Sequence, residues 1–251
     1  MSIPELYALF LKHPQVQTDT RSLKAGDLFF ALKGDKFNGN QFAQQALDQG
    51  AAYAVIDEAE FAIDEKTILV DDALNTLQQL AAYHRSQLRI PVIGITGSNG
   101  KTTSKELVHA VLATAYRTST TVGNLNNHIG IPLTLLRIPL DAEMAVVEMG
   151  ANHQREIAGY CTYAQPTHGI ITNCGKAHLE GFGGVEGVRK GKGELYDHLR
   201  AVDGTAFIMW DYDYMRSMSL GIPHCIKYGT HDADIEGNVV QAQPFIQVEM
   251  T

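Results

Sequence analysis

An α/β fold in two parts is what this sequence predicts, and three observations carry that reading. From about residue 89 onward, short apolar runs ("PVIGIT", "MAVVEM", "HGIITN", "TAFIM") alternate with helical patterns. Strands with no polar face, separated by helices, suggest a mostly parallel sheet covered on both sides. One of these strands opens into a glycine-rich turn and a helix, "IPVIGITGSNGKTTSKELVHAVL", Ile90–Leu112. Residues 1 to 88 have a different character, with short strands and helices mixed. The expected architecture is a small α/β N-terminal domain, 1–88, followed by a phosphate-loop, mostly parallel-sheet domain, 89–251.

Taken in order, "MSIPELYALFLKHPQVQ" reads as an amphipathic first helix. It has no basic start, apolar core and small-residue cleavage site of the kind that marks an export signal. "DLFFALK" and "AYAVID" read as strands, "NQFAQQALDQGA" and "ALNTLQQLAAYHRSQL" as helices. The second of these helices runs into "RIPV", where Pro91 discourages continuation, and the domain boundary is placed there. The closing segment, "HDADIEGNVVQAQPFIQVEMT", reads as β without a closing helix.

The bulk numbers exclude several classes. With 251 residues the chain can bury a sizeable core, and 45% hydrophobic with 19% charged residues is an ordinary globular composition. No apolar run reaches bilayer length. The net charge of −8 and the lack of any Lys/Arg block argue against nucleic acid as a partner. Three cysteines, Cys161, Cys174 and Cys225, have no metal-like spacing and fit a reducing cytoplasm. The expected state is a cytoplasmic monomer.

The glycine-rich turn misses the strict phosphate-loop pattern, Gly, four residues, then Gly-Lys-Ser/Thr, by one position. Counting back from Gly100, Lys101 and Thr102 lands on Ile95, while the glycines stand at 94, 97 and 100. The chemistry is nevertheless that of a triphosphate site. Gly97 and Gly100 let the N–H groups of Ser98, Asn99 and their neighbours converge on one concavity. The helix beginning near Lys101 adds its positive end. Lys101 can reach β- and γ-phosphates, Thr102 offers a hydroxyl to Mg²⁺, and Thr103 continues the turn. Glu148 ends an apolar strand, at the carboxyl edge where a parallel sheet meets its ligand and where an acidic side chain can hold Mg²⁺. Asn173 ends another such strand.

"GITGSNGKTT" resembles the phosphate loop of the Mur ligase superfamily, in which the longer spacing is normal. The likeness extends over nearly the whole chain. "TDTRSLKAGDLFFALKGDKFNGNQFAQQALDQGA" is similar to the family's UDP-substrate domain. "TTVGNLNNHIGIPLTLL", "VVEMGANHQREI" and "ITNCGKAHLEGFGGVEGVRKGKGELY" follow in family order. They look most like the branch that adds D-alanyl-D-alanine to UDP-N-acetylmuramoyl-tripeptide. The nearest rival is a branch adding the third peptide residue. A non-catalytic UDP-muramoyl-peptide binding module, folylpolyglutamate synthase and a plain phosphate-loop kinase or GTPase are the others.

The resemblance implies an ATP-dependent amide ligase with an acyl phosphate intermediate and Mg²⁺. It makes Lys101, Lys192 and His178 catalytic, and Thr102, Glu148, His178 and Lys192 the metal set. Lys192 stands where the family carries a carbamylated lysine. Lys190 competes for that place, and Lys192 is preferred because "GE" follows it. Asp19, Thr20 and Arg21 look like the family's UDP-contacting motif, and Asn124, Asn126 and Asn127 fall in a substrate-contacting loop. Where the family often has Asp-Gly-His-Asp/Asn-Phe, this chain has Asn38-Gly39-Asn40-Gln41-Phe42. The family also has a third, C-terminal domain. The ATPase domain is therefore expected to be truncated here, and the chain to bind UDP-substrate but ligate poorly or not at all.

Overall fold

A computed structural model describes all 251 residues. The chain packs as two compact units, Met1–Arg89 with Val122–Asp141, and Ile90–Thr121 with Ala142–Thr251.

In the first unit, α1 (Ile3–Lys12) opens on a capping box, with Ser2 and Glu5 satisfying each other's backbone donors. Strands β1 (Val16–Gln17) and β2 (Leu28–Phe30) follow, then a short hairpin of β3 (Lys33–Gly34) and β4 (Phe37–Asn38). Next come α2 (Ala43–Asp48), β5 (Tyr53–Ile56), β6 (Thr67–Leu69) and α3 (Ala73–Gln87). The four-stranded sheet runs β1-β2-β5-β6, with every pair parallel. Phe29, Ala31, Ala43, Ala46, Ala54 and Ile56 form its core, the small alanines letting α2 lie close to the strands. The helix expected over "NQFAQQALDQGA" is shorter than its pattern. Gly39–Phe42 is a 3₁₀ turn, because the Asn38 side chain accepts the Asn40 N–H and starts the turn there.

The second unit begins with β7 (Val92–Thr96) and α4 (Lys101–Leu112), then β8 (Thr118–Thr120). The chain next enters Val122–Asp141, whose helix α5 (Gly130–Leu136) packs on α3 of the first unit. The sequence reading leaves this stretch within 89–251. Its packing comes from a helix, "GIPLTLL", apolar but for Thr134 and buried at every position, which needs a second apolar face to cover it. Thereafter come β9 (Met144–Glu148), α6 (Glu156–Ala164), β10 (His168–Ile171), α7 (Leu179–Phe182) and α8 (Val185–Ala201). The unit closes with β11 (Thr205–Met209), α9 (Asp213–Met218), β12 (His224–Gly229), β13 (Ile235–Gln241) and β14 (Gln247–Met250).

The eight-stranded sheet has the order β14-β13-β12-β11-β10-β7-β9-β8, parallel except for the β13/β14 pair. Along β7, Ile93 and Ile95 pack with Val108 and Leu112 of α4, whereas a Cβ at Gly94 would meet Leu195 of α8. Alternate residues of a strand face opposite sides. So α4 and α8 cover the two faces, as the unalternating apolar strands require. Strand order reverses around β7, which puts the glycine-rich turn at the switch point where open parallel sheets bind ligands. No helix is long and apolar enough to cross a membrane.

His84 ties the α3/α5 packing together. Its buried ring has Nδ1 3.0 Å from the Tyr7 hydroxyl and Nε2 2.8 Å from the Ile138 carbonyl. Nε2 must carry the proton it donates to that carbonyl, so Nδ1 accepts from Tyr7. Burial pushes the pKa of His84 below the ordinary histidine value, as it does for His168 and His198 in the second unit. The unfolded chain therefore binds protons that the folded chain refuses. Stability is full above the unfolded value and falls as pH drops through it, by at most about 1.4 kcal/mol per pH unit for each histidine. Urea unfolding at pH 7.5 and 5.5 should show the loss, and His84→Gln should reduce its slope.

Candidate functional site

The turn after β7 is held by its neighbour β10. Gly97 has φ +147°, a conformation side chains rarely adopt, and a Cβ there would lie 2.0 Å from Thr172 Oγ1. The space is used by hydrogen bonds. Thr172 Oγ1 donates to Asn99 O at 2.6 Å, and Ser98 N–H donates to Asn173 O at 2.9 Å. The Asn173 carboxamide does both jobs at Asn99, accepting its N–H at 3.2 Å and donating to its carbonyl at 3.0 Å. Gly100, φ +79°, then turns the chain into α4. This leaves Asn99, Gly100, Thr102 and Thr103 exposed at the positive end of a twelve-residue helix.

Lys101 is half-buried and folds back on the loop, with Nζ 2.8 Å from Gly97 O and 3.3 Å from Ser98 O. Burial lowers its pKa, and the charge of Glu148 opposes the shift. Glu148 is only 1% exposed and ends β9 directly beside Ile95 of β7. The lysine and the carboxylate therefore share one electrostatic site at the strand ends.

The two candidate lysines of α8 have different surroundings. Lys190 is exposed, while Lys192 is 2% exposed with Nζ 3.0 Å from Ala151 O and 5.0 Å from the Phe182 ring centre. Burial, reinforced by the nearby charge of Lys101, brings the Lys192 pKa down to about 8. A neutral fraction of that amine is thus present near neutral pH. His178 is placed differently from these groups. It lies exposed at the start of α7 with φ +54°, and its main-chain carbonyl accepts the Phe182 N–H. No three His, Cys, Asp or Glu side chains converge as a metal cage. Within the metal set inferred from resemblance, only Glu148 and His178 belong to those types, the remainder being the Thr102 hydroxyl and Lys192.

In the first unit, Asp19, Thr20 and Arg21 line a cavity of about 600 Å³ together with Phe29, Phe37, Gly39 and Phe42. Arg21 grips Asp19 at 2.6 Å, which holds the Asp19 carboxyl down at about 2. Asn38 and Asn40 have structural work: buried Asn40 bridges to Asp57 through Nδ2 at 2.8 Å and through its carbonyl oxygen at 2.9 Å. Asn124, Asn126 and Asn127 stand in the turn before α5 rather than on that cavity. The Asn127 carboxamide oxygen is taken up in capping α5, accepting the N–H groups of Ile129 and Gly130.

Three residues around Lys192 escape a reading by motif. Phe182 supplies the aromatic wall of its slot, and a Cβ at Gly191 would strike that ring at 2.4 Å. Gln154 holds Phe182 in place by donating to its carbonyl at 3.0 Å. Glu194 accepts the N–H groups of Arg155 and Ala158, at 2.5 and 2.9 Å, and so caps α6 from α8. The glutamate of the "GE" after Lys192 thus supports the N-terminus of α6.

Fold and site together define a phosphate-loop α/β protein with a second, smaller α/β unit. Comparison with known families gives the class. Residues 14–85 match "Mur ligase family, catalytic domain" and residues 95–249 match "Mur ligase middle domain". The chain belongs to the Mur ligase family. Among its relatives is the UDP-N-acetylmuramoyl-tripeptide–D-alanyl-D-alanine ligase of Bacillus subtilis, 42% identical over 219 residues, 86% of this chain and 48% of the relative. The enzyme of the same name from Escherichia coli is 45% identical over 184 residues, 73% and 40% of the two chains. Of solved structures, MurF from Acinetobacter baumannii superposes with a TM-score of 0.82 at 32% identity, covering 94% of this chain and 55% of that one. MurF ligase from Thermotoga maritima in complex with ADP gives 0.85 at 28% identity, covering 96% and 56%. The chain spans about half the length of the curated relatives it matches.

Gly97→Ala should test the glycine-rich turn. The added Cβ has to displace Thr172, and we expect a loss of about 2 kcal/mol in unfolding free energy, with phosphate affinity falling further than stability. Chemical denaturation and nucleotide titration on the same preparation check both.

Proposed function

We propose that this chain carries the UDP-substrate and ATP sites of an amide ligase that joins D-alanyl-D-alanine to UDP-N-acetylmuramoyl-tripeptide. The observation that supports it most is the gathering of the glycine-rich turn, Lys101, Glu148 and buried Lys192 at the switch point of one parallel sheet. The relatives that cover most of the chain are ligases of that name. We place its work in the cytoplasm, where free Cys161, Cys174 and Cys225 stay reduced.

A carboxylate is a poor acceptor for an amine, so the reaction first converts it into an acyl phosphate. The tripeptide's terminal carboxylate oxygen attacks the γ-phosphorus of ATP, and the bond to the β,γ-bridging oxygen breaks to release ADP. The amine of D-alanyl-D-alanine then attacks the activated carbonyl carbon, loses a proton, and phosphate departs. The N–H groups of Ser98 and Asn99 are held by Asn173, so those from Gly100 to Thr103 at the α4 terminus bind the phosphates, while Lys101, leaving its own loop carbonyls, neutralises charge on the transferring group. Mg²⁺ would be held by Thr102, Glu148 and a carbamate on Lys192, with His178 assigned to it by the family resemblance alone, and would supply further charge neutralisation at the phosphates. The buried carboxylate of Glu148 and the low-pKa amine of Lys192 fit that use, since carbamylation needs a neutral amine and yields an anion. In the first unit, the forked donors of Arg21 suit a phosphate or uracil oxygen and the Phe37 and Phe42 rings suit a base.

Two measurements test this. With ¹³C-bicarbonate, a carbamate carbon signal is expected for the native chain and for Lys190→Met, and should vanish in Lys192→Met. A signal that survives in Lys192→Met would remove the modified lysine from the account. Calorimetric titration with UDP-N-acetylmuramoyl-tripeptide should show binding that Arg21→Ala weakens about tenfold. A folded chain that ignores this ligand would move the reading to another branch of the family.

A further inference from the structure

Lys105 lies one turn beyond Lys101 on α4 and is 1% exposed, yet the ligation chemistry makes no use of it. Burying an ammonium is costly unless strong partners meet it. Its Nζ donates to the main-chain oxygen of Thr121 at 2.7 Å and lies 2.7 Å from Oε1 of Glu106, itself largely in solvent.

The partner of interest is Thr121. Strand β8 ends at Thr120, so β9 loses its outer neighbour just before Glu148. Thr121 takes over from the strand. Its N–H donates to Val146 O at 3.1 Å, and its hydroxyl accepts the Glu148 N–H at 3.0 Å. On the inner side, Glu148 is paired with Ile95 of the phosphate-loop strand. The main chain of Glu148 is thus gripped from two sides, and the outer grip is pinned to α4 by Lys105. A methionine would fill the same volume but would remove the donor from the Thr121 carbonyl.

We propose that Lys105 is a positioning residue: by fixing Thr121 against α4 it sets the place of Glu148 relative to the glycine-rich turn on the same helix. The inference rests on the reading of that turn and Glu148 as the Mg-ATP site.

The test compares the native chain with Lys105→Met, Lys105→Arg and Thr121→Val. It uses amide hydrogen exchange at Glu148, and affinities for ATP with and without Mg²⁺. Lys105→Met should speed exchange of the Glu148 amide while leaving those of Ala206 and Ile208 in β11 unchanged. It should also weaken Mg-ATP about tenfold, the usual cost of removing a support behind a metal ligand, with less than about a twofold change for metal-free ATP. Thr121→Val should give the same pattern, and Lys105→Arg should restore part of it. Native exchange at Glu148 in folded Lys105→Met would overturn the proposal, as would equal losses with and without metal. If Lys105→Met does not fold, Thr121→Val decides by the same two readouts. A native chain that binds no Mg-ATP would sink the functional reading, while the exchange data would still decide the role of Lys105.

Discussion

The contact between Gly97 and the end of β10 is the constraint on which the second unit's site depends. A glycine-rich turn left to itself has too many conformations to present a fixed set of N–H groups. Here Thr172 and Asn173 occupy the room a side chain would take and bind the turn at Ser98 and Asn99. The pairing of β7 with β10 brings these residues level, Ile171 standing opposite Thr96. The extra residue in the turn, relative to the shorter phosphate-loop spacing, therefore does not leave it loose. The adjoining strand supplies the order that spacing alone would not.

A second constraint is the burial of Lys192. Its ammonium meets a carbonyl and an aromatic face, and the cost of that environment appears in its lowered pKa. The slot is built by residues that perform no chemistry. Gly191 lets Phe182 approach, Gln154 holds Phe182 by its carbonyl, and Glu194 with Glu156 takes up the free N–H groups of the loop after β9. Gly191, Phe182 and the capping carboxylates together fix the surroundings of this one lysine. A solvated helix face would need none of it.

Much of this was legible in the sequence, for physical reasons. The strands of the second unit are apolar on both faces because helices cover both, so "PVIGIT" and "TAFIM" announce themselves. The 3.6-residue pattern of Ala73–Gln87 and the proline after it fix α3. Less could be read where partners are distant. Nothing local says that Val122–Asp141 packs with the first unit, since that depends on α3 offering a face to α5. Lys190 and Lys192 sit two residues apart on a helix, which points them in different directions, and burial separates them only once α6 and α7 are in place. The carboxamide oxygen of Asn127 accepts N–H groups at the start of α5, a turn role that its residue type alone already allows. Lys105 gave no signal at all, because its partner Thr121 lies 16 residues away in sequence.

The central claim is that the turn, Lys101, Glu148 and Lys192 form one triphosphate site. A crystal structure of this chain with Mg²⁺ and a non-hydrolysable ATP analogue tests it most directly. Phosphates are expected against the turn and the α4 terminus, with Lys101 released from Gly97 O toward the β- and γ-phosphates and metal density beside Glu148. A nucleotide seated elsewhere, with Lys101 still folded on its own loop, would contradict it.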